Sequence, residues 1–193
     1  MTRSPDQGAA GPAAAAPLGA PQDGEFAAYY GNYVARAGVG DVAALLATLA
    51  AQPQALAELF TRVPADRETW SYGPGKWSFR QVVSHLVDAE RVFGFRAFCF
   101  SRRDDHPLPS FEENDYVARG GADGITLADH LREFALVRAS NLAFLRRLPD
   151  CAWTARGTAS GNPFTVRALG WILAGHPNHH IAVTRERYAA ALR

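Results

Sequence analysis

Apolar residues recur with a period of about 3.6 in four long stretches of the chain, and this spacing predicts four amphipathic helices. The predicted helices cover residues 41–63, 78–100, 126–148, and 165 to near the C-terminus. No stretch alternates polar and apolar residues convincingly, so no strand is predicted. Four long helices with one apolar face each predict an all-α fold, a four-helix bundle.

Residues suited to capping mark where the helices begin. Asp41 and Thr126 each precede an apolar run and can accept a hydrogen bond from a first-turn amide. Ser78 begins the segment S-F-R-Q, a capping-box pattern in which Gln81 reaches back to the cap. Pro53 is expected to kink or split the first long helix, because proline lacks an amide hydrogen and clashes with the preceding turn.

The segments outside the helices divide the chain into two predicted parts. Residues 1–24 are rich in Ala, Pro and Gly and are expected to be a flexible, disordered tail. Residues 25–193 form the predicted bundle domain, which opens with aromatic residues at helical spacing over 26–33. Residues 101–124 are charged and interrupted by Gly and Pro, which predicts a long loop.

Composition narrows the classes of function. The chain carries 20 Lys+Arg and 19 Asp+Glu, a net charge of +1, which disfavours nucleic acid as a partner. No stretch approaches the roughly 18 consecutive apolar residues of a membrane span, so no membrane association is expected. Two distant cysteines, Cys99 and Cys151, indicate neither a thiolate metal site nor a disulfide framework, and a reducing, cytoplasmic location is the expectation.

Histidines on the fourth helix are candidate metal ligands. His176 and His180 lie near the centre of its apolar face, one turn apart, and their ring nitrogens can converge to the separation of about 3–3.5 Å that one divalent ion requires. The alternative is that inward histidines only form hydrogen bonds inside the bundle. A third ligand must come from another helix, and periodicity places His85 at the edge of the apolar stripe of the second helix.

Other polar residues also fall on apolar faces: Glu90, Arg138, Asn141 and Arg187. A carboxylate buried alone is costly, so we expect Glu90 to pair with Arg138 or Arg187 in an internal polar layer. The alternative is that these long side chains lie near helix ends and extend to water. The positions do not decide between the two.

Three segments together resemble the DinB/YfiT-like superfamily of metal-binding helical bundles. They are PGKWSFRQVVSHLVDAERVF, PLPSFEENDYV and ASGNPFTVRALGWILAGHPNHHIAVTRERY. The resemblance covers residues 25–193 and implies that His85, His176 and His180 bind a divalent metal ion, nickel or zinc. It also implies a homodimer. Pro177 departs from the pattern and predicts a kink or local change in the fourth helix between the two ligands.

The resemblance also implies a class of reaction. Members of the superfamily include transferases that use bacillithiol or mycothiol, and a maleylpyruvate isomerase. The leading expectation is therefore a metal-dependent thiol S-transferase acting on a small molecule, with a low-molecular-weight thiol as a possible partner. The alternatives are a noncatalytic metal- or ligand-binding stress protein and a metal-dependent hydrolase. Catalytic residues remain unassigned: Asp88, Glu90 and Tyr116 are acid–base candidates by position only.

Overall fold

The four predicted long helices all form in the structure, a computed structural model that describes residues 18–192. In chain order the helices and strands are α1 (Gly31–Arg36), α2 (Val42–Phe60), α3 (Phe79–Ser101), α4 (Glu113–Arg119), α5 (Leu127–Leu145), α6 (Asp150–Trp153), β1 (Arg156–Ala159), β2 (Asn162–Thr165) and α7 (Val166–Arg187). The long helices α2, α3, α5 and α7 make up the predicted bundle.

The predicted caps are confirmed at the starts of three long helices. The amide of Ala44 donates to Asp41 Oδ1 at 2.8 Å, and the amide of Asp129 donates to Thr126 Oγ1 at 3.1 Å. At α3, the Gln81 amide donates to Ser78 Oγ and the Ser78 amide donates to Gln81 Oε1, which completes the capping box. Amides at a helix start that lack an intrahelical acceptor are thereby satisfied, so each boundary is determined locally.

The bundle has an order that differs from a simple up-and-down arrangement. Helices α2 and α3 each pack against both α5 and α7, so α2 and α3 face each other across the diagonal although they are consecutive in the sequence. The same contacts place α5 and α7 on the other diagonal. A side chain at the centre of this arrangement can therefore reach all four helices.

The core is divided into two apolar clusters, one towards each end of the bundle. One contains Leu49, Phe93 and Trp171, and the other contains Phe60 and Phe79. Buried polar residues lie where each long helix passes from one cluster to the other, or within two turns of that point: Gln52 on α2, His85 and Glu90 on α3, Arg138 on α5, and His176 and His180 on α7. The predicted internal polar layer is therefore present, at mid-bundle.

A β-hairpin corrects the expectation that the chain has no strand. Strands β1 and β2 pair in antiparallel register, with Arg156 opposite Thr165. Ser160 and Gly161 between them both have positive φ, 52° and 72°, as a two-residue hairpin turn requires. The prediction was wrong because strands of four residues are too short to show alternation.

The beginning of the described chain corrects the boundary of the expected tail. Residues 1–17 lie outside the described residues, but residues 18–24 contact the bundle. The Val42 amide donates to the Leu18 carbonyl at 3.1 Å, and Arg167 donates to the Gly19 carbonyl. These backbone acceptors acquire distant partners, which an Ala/Pro/Gly-rich composition does not reveal.

Two further segments differ from what the sequence pattern predicts. Within 101–124, predicted as loop, the chain forms the short helix α4. Within residues 18–192, α2 is long and apolar enough to cross a membrane by length and composition alone. In this structure its residues Leu45, Leu49 and Leu56 are fully buried in the bundle core.

Candidate metal centre

Three buried histidines meet in the polar layer of the bundle. His85 comes from the second turn of α3, and His176 and His180 come from successive turns of α7. The Nε2 atoms of His85 and His176 are 2.9 Å apart, and those of His180 and His176 are 3.1 Å apart. One nitrogen from each residue lies within 4.8 Å of the other two. The structure thus brings together all three residues predicted as ligands.

This arrangement suits a divalent ion. Nitrogens bound about 2.1 Å from a single ion lie about 3.0–3.5 Å from one another, close to the separations observed. A neutral imidazole has one donor nitrogen and one acceptor nitrogen, so three converging Nε2 atoms cannot all be paired well by hydrogen bonds alone. His85 Nδ1 is also buried without a hydrogen-bond partner among the described residues. The donor set fits the metal that the sequence resemblance implies.

The environment keeps the three imidazoles in their metal-binding form. Burial, with a smaller contribution from His179, lowers the pKa of His85 to about 4. Burial also lowers the pKa of His176 and of His180 well below the ordinary value of 6.5, and the neighbouring imidazoles act in the same direction. All three side chains are therefore neutral at pH 7, and neutral imidazole is the form that donates a lone pair to a metal.

The helix that carries two of the histidines continues through Pro177. Helix α7 extends without a break over Val166–Arg187, so His176 and His180 keep the i, i+4 spacing of a regular helix. The predicted kink or local change between the two predicted ligands does not interrupt the helix. The carbonyl that Pro177 leaves without its helical donor, that of Leu173, accepts a hydrogen bond from Arg138 at 2.9 Å.

The expected partner of Glu90 is found. Arg138 donates to Glu90 through Nε and Nη2, both at 2.8 Å, and both side chains are 1% exposed. The other candidate, Arg187, is exposed and pairs with Glu186 instead. This charged pair belongs to the same polar layer as the histidines.

An aromatic cavity of about 130 Å³ adjoins the three histidines. Its lining is Tyr29, Tyr30, Tyr33, Trp77, His85, Ala89, Phe93, Phe111, Glu113, Ser160, His176, His179 and His180. One water needs about 10–15 Å³ of such volume, so this space admits a small molecule or several waters. The triad is therefore buried against the bundle and open towards a cavity.

Aromatic rings surround the histidines on the cavity side. The ring of Tyr33 meets His176 edge-on at 5.2 Å between centroids, and Trp77 lies 4.7 Å from His85. Tyr33 reaches this position because Gly175 lets its carbonyl approach α7, where a Cβ would come within 1.7 Å of that oxygen. Sequence analysis predicted the aromatic segment but not its place in the site, since the contacts of Tyr33 with His176 and His179 join residues more than 140 positions apart.

Arg96 is a residue of the cavity surroundings that sequence analysis missed. Its Nη2 donates to the Pro109 carbonyl at 2.7 Å and to Ser160 Oγ at 3.0 Å, which joins the segment after α3 to the hairpin. The guanidinium also lies over the rings of Phe93 and Phe111, two residues of the cavity lining. Arg96 lies three residues after Phe93 and four before Phe100, so the helical period already places it on the buried face of α3.

The remaining histidines do not join the triad. The His130 side chain is buried, and its Nε2 lies 2.9 Å from the Ala122 carbonyl, so its role is a local hydrogen bond. His106 is exposed and pairs with Asp104. His179 faces Tyr33 at 5.4 Å and lines the cavity without entering the cluster.

Comparisons with known proteins give a family and a fold. The family model described as the DinB superfamily matches residues 36–183. Among solved structures, the chain is similar to YfiT from Bacillus subtilis, with a TM-score of 0.69 at 19% identity over 76% of this chain and 85% of that one. YfiT is described as a probable metal-dependent hydrolase with an unusual four-helix bundle topology. No curated protein matches the chain.

Proposed function

The chain belongs to the DinB superfamily, and from that premise we propose that it is a metal-dependent enzyme that acts on a small molecule in the aromatic cavity. The observation that carries this proposal is the convergence of His85, His176 and His180 on one point beside that cavity. A catalytic metal site keeps a position open for a reactant, whereas a structural site is closed by protein ligands. Three ligands next to an open cavity correspond to the catalytic kind.

The chemistry of such a site is the activation of a nucleophile. An ion held by three neutral imidazoles acts as a Lewis acid that lowers the pKa of a thiol or of water. The protein supplies the surroundings: Tyr33, Trp77 and Phe93 exclude bulk water from the histidines. Glu113 and His179 line the same cavity, and we propose the Glu113 carboxylate as the acceptor of the proton that an incoming nucleophile releases.

Thiol transfer is the first reaction class we propose, because members of the superfamily that the chain resembles include thiol-dependent transferases. The co-substrate is then a low-molecular-weight thiol, and the metal is nickel or zinc. Hydrolysis is the second class, and the observation that favours it is the fold shared with YfiT, described as a probable metal-dependent hydrolase. Consumption of an electrophile that depends on added thiol supports the first class, and incorporation of labelled oxygen from water supports the second.

Elemental analysis of purified protein tests the metal proposal. We expect about one divalent ion per chain in the wild type and its loss in His85→Ala, His176→Ala and His180→Ala. His130→Ala is the matched control, because it removes a buried imidazole that lies outside the triad. Circular dichroism checks that each variant is folded. Folded triad variants that keep their metal would exclude these ligands.

A separate experiment distinguishes an enzyme from a metal- or ligand-binding stress protein. Glu113→Gln removes a proton acceptor from the cavity while leaving the three histidines in place. We expect turnover to fall and metal content to stay the same. Ligand binding without turnover in the metal-loaded wild type would favour the noncatalytic alternative. The homodimer and the cytoplasmic location are further proposals, tested by light scattering and by cell fractionation.

A further inference from the structure

Two prolines leave buried carbonyl groups without their helical donors. Proline has no amide hydrogen, so the carbonyl four residues earlier loses its usual partner. In α2, Pro53 affects the carbonyl of Leu49, and in α7, Pro177 affects that of Leu173. Both leucines are almost completely buried, where a carbonyl without a donor is unfavourable.

A single side chain supplies both missing donors. Arg138, on α5, donates from Nη1 to the Leu49 carbonyl at 3.1 Å and from Nη2 to the Leu173 carbonyl at 2.9 Å. Of the two helices that contain the prolines, α2 packs against α5, and α7 lies across the diagonal of the bundle from it. Arg138 therefore takes over a backbone function in two helices at once.

The other donors of Arg138 are also used. Nε and Nη2 bind the two carboxylate oxygens of Glu90, and Nη1 donates to Gln52 Oε1 at 2.6 Å. The guanidinium group has five N–H groups, and the structure shows an acceptor for each. The side chain is 1% exposed, so these bonds are made away from water.

The bonds of Arg138 join the two helices that carry the histidines. Leu173 lies three residues before His176 on α7, and Glu90 lies five residues after His85 on α3. At 1.5 Å per residue these separations are about 4.5 and 7.5 Å along the helix axes. A displacement of either helix at the guanidinium is therefore transmitted to a histidine only one or two turns away.

Gln52 strengthens the same connection. Its Nε2 donates to the Ala174 carbonyl at 2.6 Å and to Asn178 Oδ1 at 2.9 Å, on either side of His176. Its Oε1 in turn accepts from Arg138. The segment of α7 that bears the first histidine is held from both α2 and α5.

We infer that Arg138 is a positioning residue for the histidine site: it satisfies the carbonyls freed by Pro53 and Pro177 and thereby holds α7 in register with His85 on α3. This inference rests on the proposed metal-binding function. It assigns the two prolines a role too, since each frees a carbonyl acceptor that Arg138 satisfies from another helix. The effect of Arg138 on the metal is then indirect, through His85 and His176.

The test is a titration of metal-free, full-length protein with Ni²⁺ and with Zn²⁺. Arg138→Lys keeps a positive charge near Glu90 but cannot bind the carboxylate in bidentate fashion and reach both carbonyls. We expect its affinity for the better-bound ion to fall about tenfold or more, the size of change seen when groups that orient metal ligands are altered. Arg167→Lys is the matched control, because Arg167 pairs with Glu25 in another part of the bundle. It should lower stability and leave metal affinity unchanged.

Pro177→Ala distinguishes a positioning role of Arg138 from a purely structural one. It restores an amide donor for the Leu173 carbonyl, so Arg138 is no longer needed there. In the Arg138→Lys background we expect it to recover part of the lost metal affinity. In the wild-type background we expect little change. Absence of this recovery, with both proteins folded, would overturn the inference.

The remaining outcomes are also decisive. An Arg138→Lys protein that is less stable but binds metal as the wild type does would reduce Arg138 to a structural role. If that variant does not fold, Gln52→Leu removes the bonds to Ala174 and Asn178, and the same fall in affinity is expected. If the wild type binds neither ion, the proposed function fails. If it binds and Arg138→Lys binds equally, only the present inference fails.

Discussion

Two polar clusters lie side by side in the interior of this bundle, and they differ in how completely their hydrogen bonds are made. Around Arg138, every guanidinium N–H group has an acceptor and both oxygens of Glu90 have donors. In the histidine triad, three Nε2 atoms point at one another and His85 Nδ1 has no partner among the described residues. A complete cluster is costly to break, because any change leaves a buried group without its partner, whereas an incomplete cluster has nitrogen atoms left to bind an added group.

The largest effect should come from breaking the complete cluster. Glu90→Leu leaves the Arg138 charge buried without its carboxylate, and we expect the free energy of unfolding to fall by about 3–5 kcal/mol. Urea denaturation of the metal-free protein measures this change. The matched control is Glu133→Ala, which breaks the exposed Arg91–Glu133 pair between the same two helices and should cost less than about 1 kcal/mol. If the two variants lose the same free energy of unfolding, the buried cluster around Arg138 is no more important for stability than an exposed ion pair.

The next effect should come from completing the incomplete cluster. A metal ion that binds only the folded chain adds about 2.7 kcal/mol to the free energy of unfolding at 100 times its dissociation constant. We expect this gain in the wild type and its absence in His176→Ala, measured by thermal denaturation with and without Ni²⁺ or Zn²⁺. A gain of the same size in both proteins would place the ion outside the triad.

A third polar cluster, around Glu25, extends the comparison to the dependence of stability on pH. Burial alone would raise the pKa of Glu25, but hydrogen bonds from Arg167, the Gln22 amide and Thr165 lower it to about 2 from an ordinary value of 4.5. The folded state therefore holds the carboxylate ionised, and this stabilisation is present above about pH 4.5 and is lost as the pH falls towards 2. The midpoint of urea denaturation should fall as the pH is lowered through this range. In Glu25→Gln, the part of this fall that comes from protonation of Glu25 should be absent. If the midpoint of Glu25→Gln changes with pH as that of the wild type does, Glu25 does not contribute to the pH dependence of stability.

The smallest effect should be at His179, beside the triad. His179→Ala changes the wall of the cavity but leaves the three converging nitrogens in place. We expect metal content equal to that of the wild type, measured by elemental analysis. Loss of the metal in this variant would indicate that His179, in place of His180, is a metal ligand.

Local features of the chain were predicted well. Caps at Asp41, Ser78 and Thr126 involve partners three residues away, and the pairing of His176 with His180 follows from the helical period. The hairpin at 156–165 was not predicted, because its strands are too short to show an alternation of polar and apolar residues. Its position depends instead on distant contacts such as that of Gly157 with the Phe100 ring.

The third histidine shows where periodicity stops being sufficient. His85 lies at the edge of the stripe defined by the apolar residues of α3, and the family resemblance, not the spacing, selected it. In the structure α3 packs against both α5 and α7, so its buried arc is wider than a single stripe. His85, at the edge of the apolar stripe, therefore still lies on the part of α3 that packs against α7.

The sequence by itself determined the four helices, their starts and the inward pair of His176 and His180, because capping and helical periodicity act over three or four residues. Its motifs identified the family. Only the tertiary structure decided that Glu90 pairs with Arg138 rather than Arg187, that His85 completes the triad, and that α7 continues through Pro177. The reason is that these outcomes depend on partners 35 to 91 residues apart in sequence. Their contacts exist only once the helices have packed in this diagonal order.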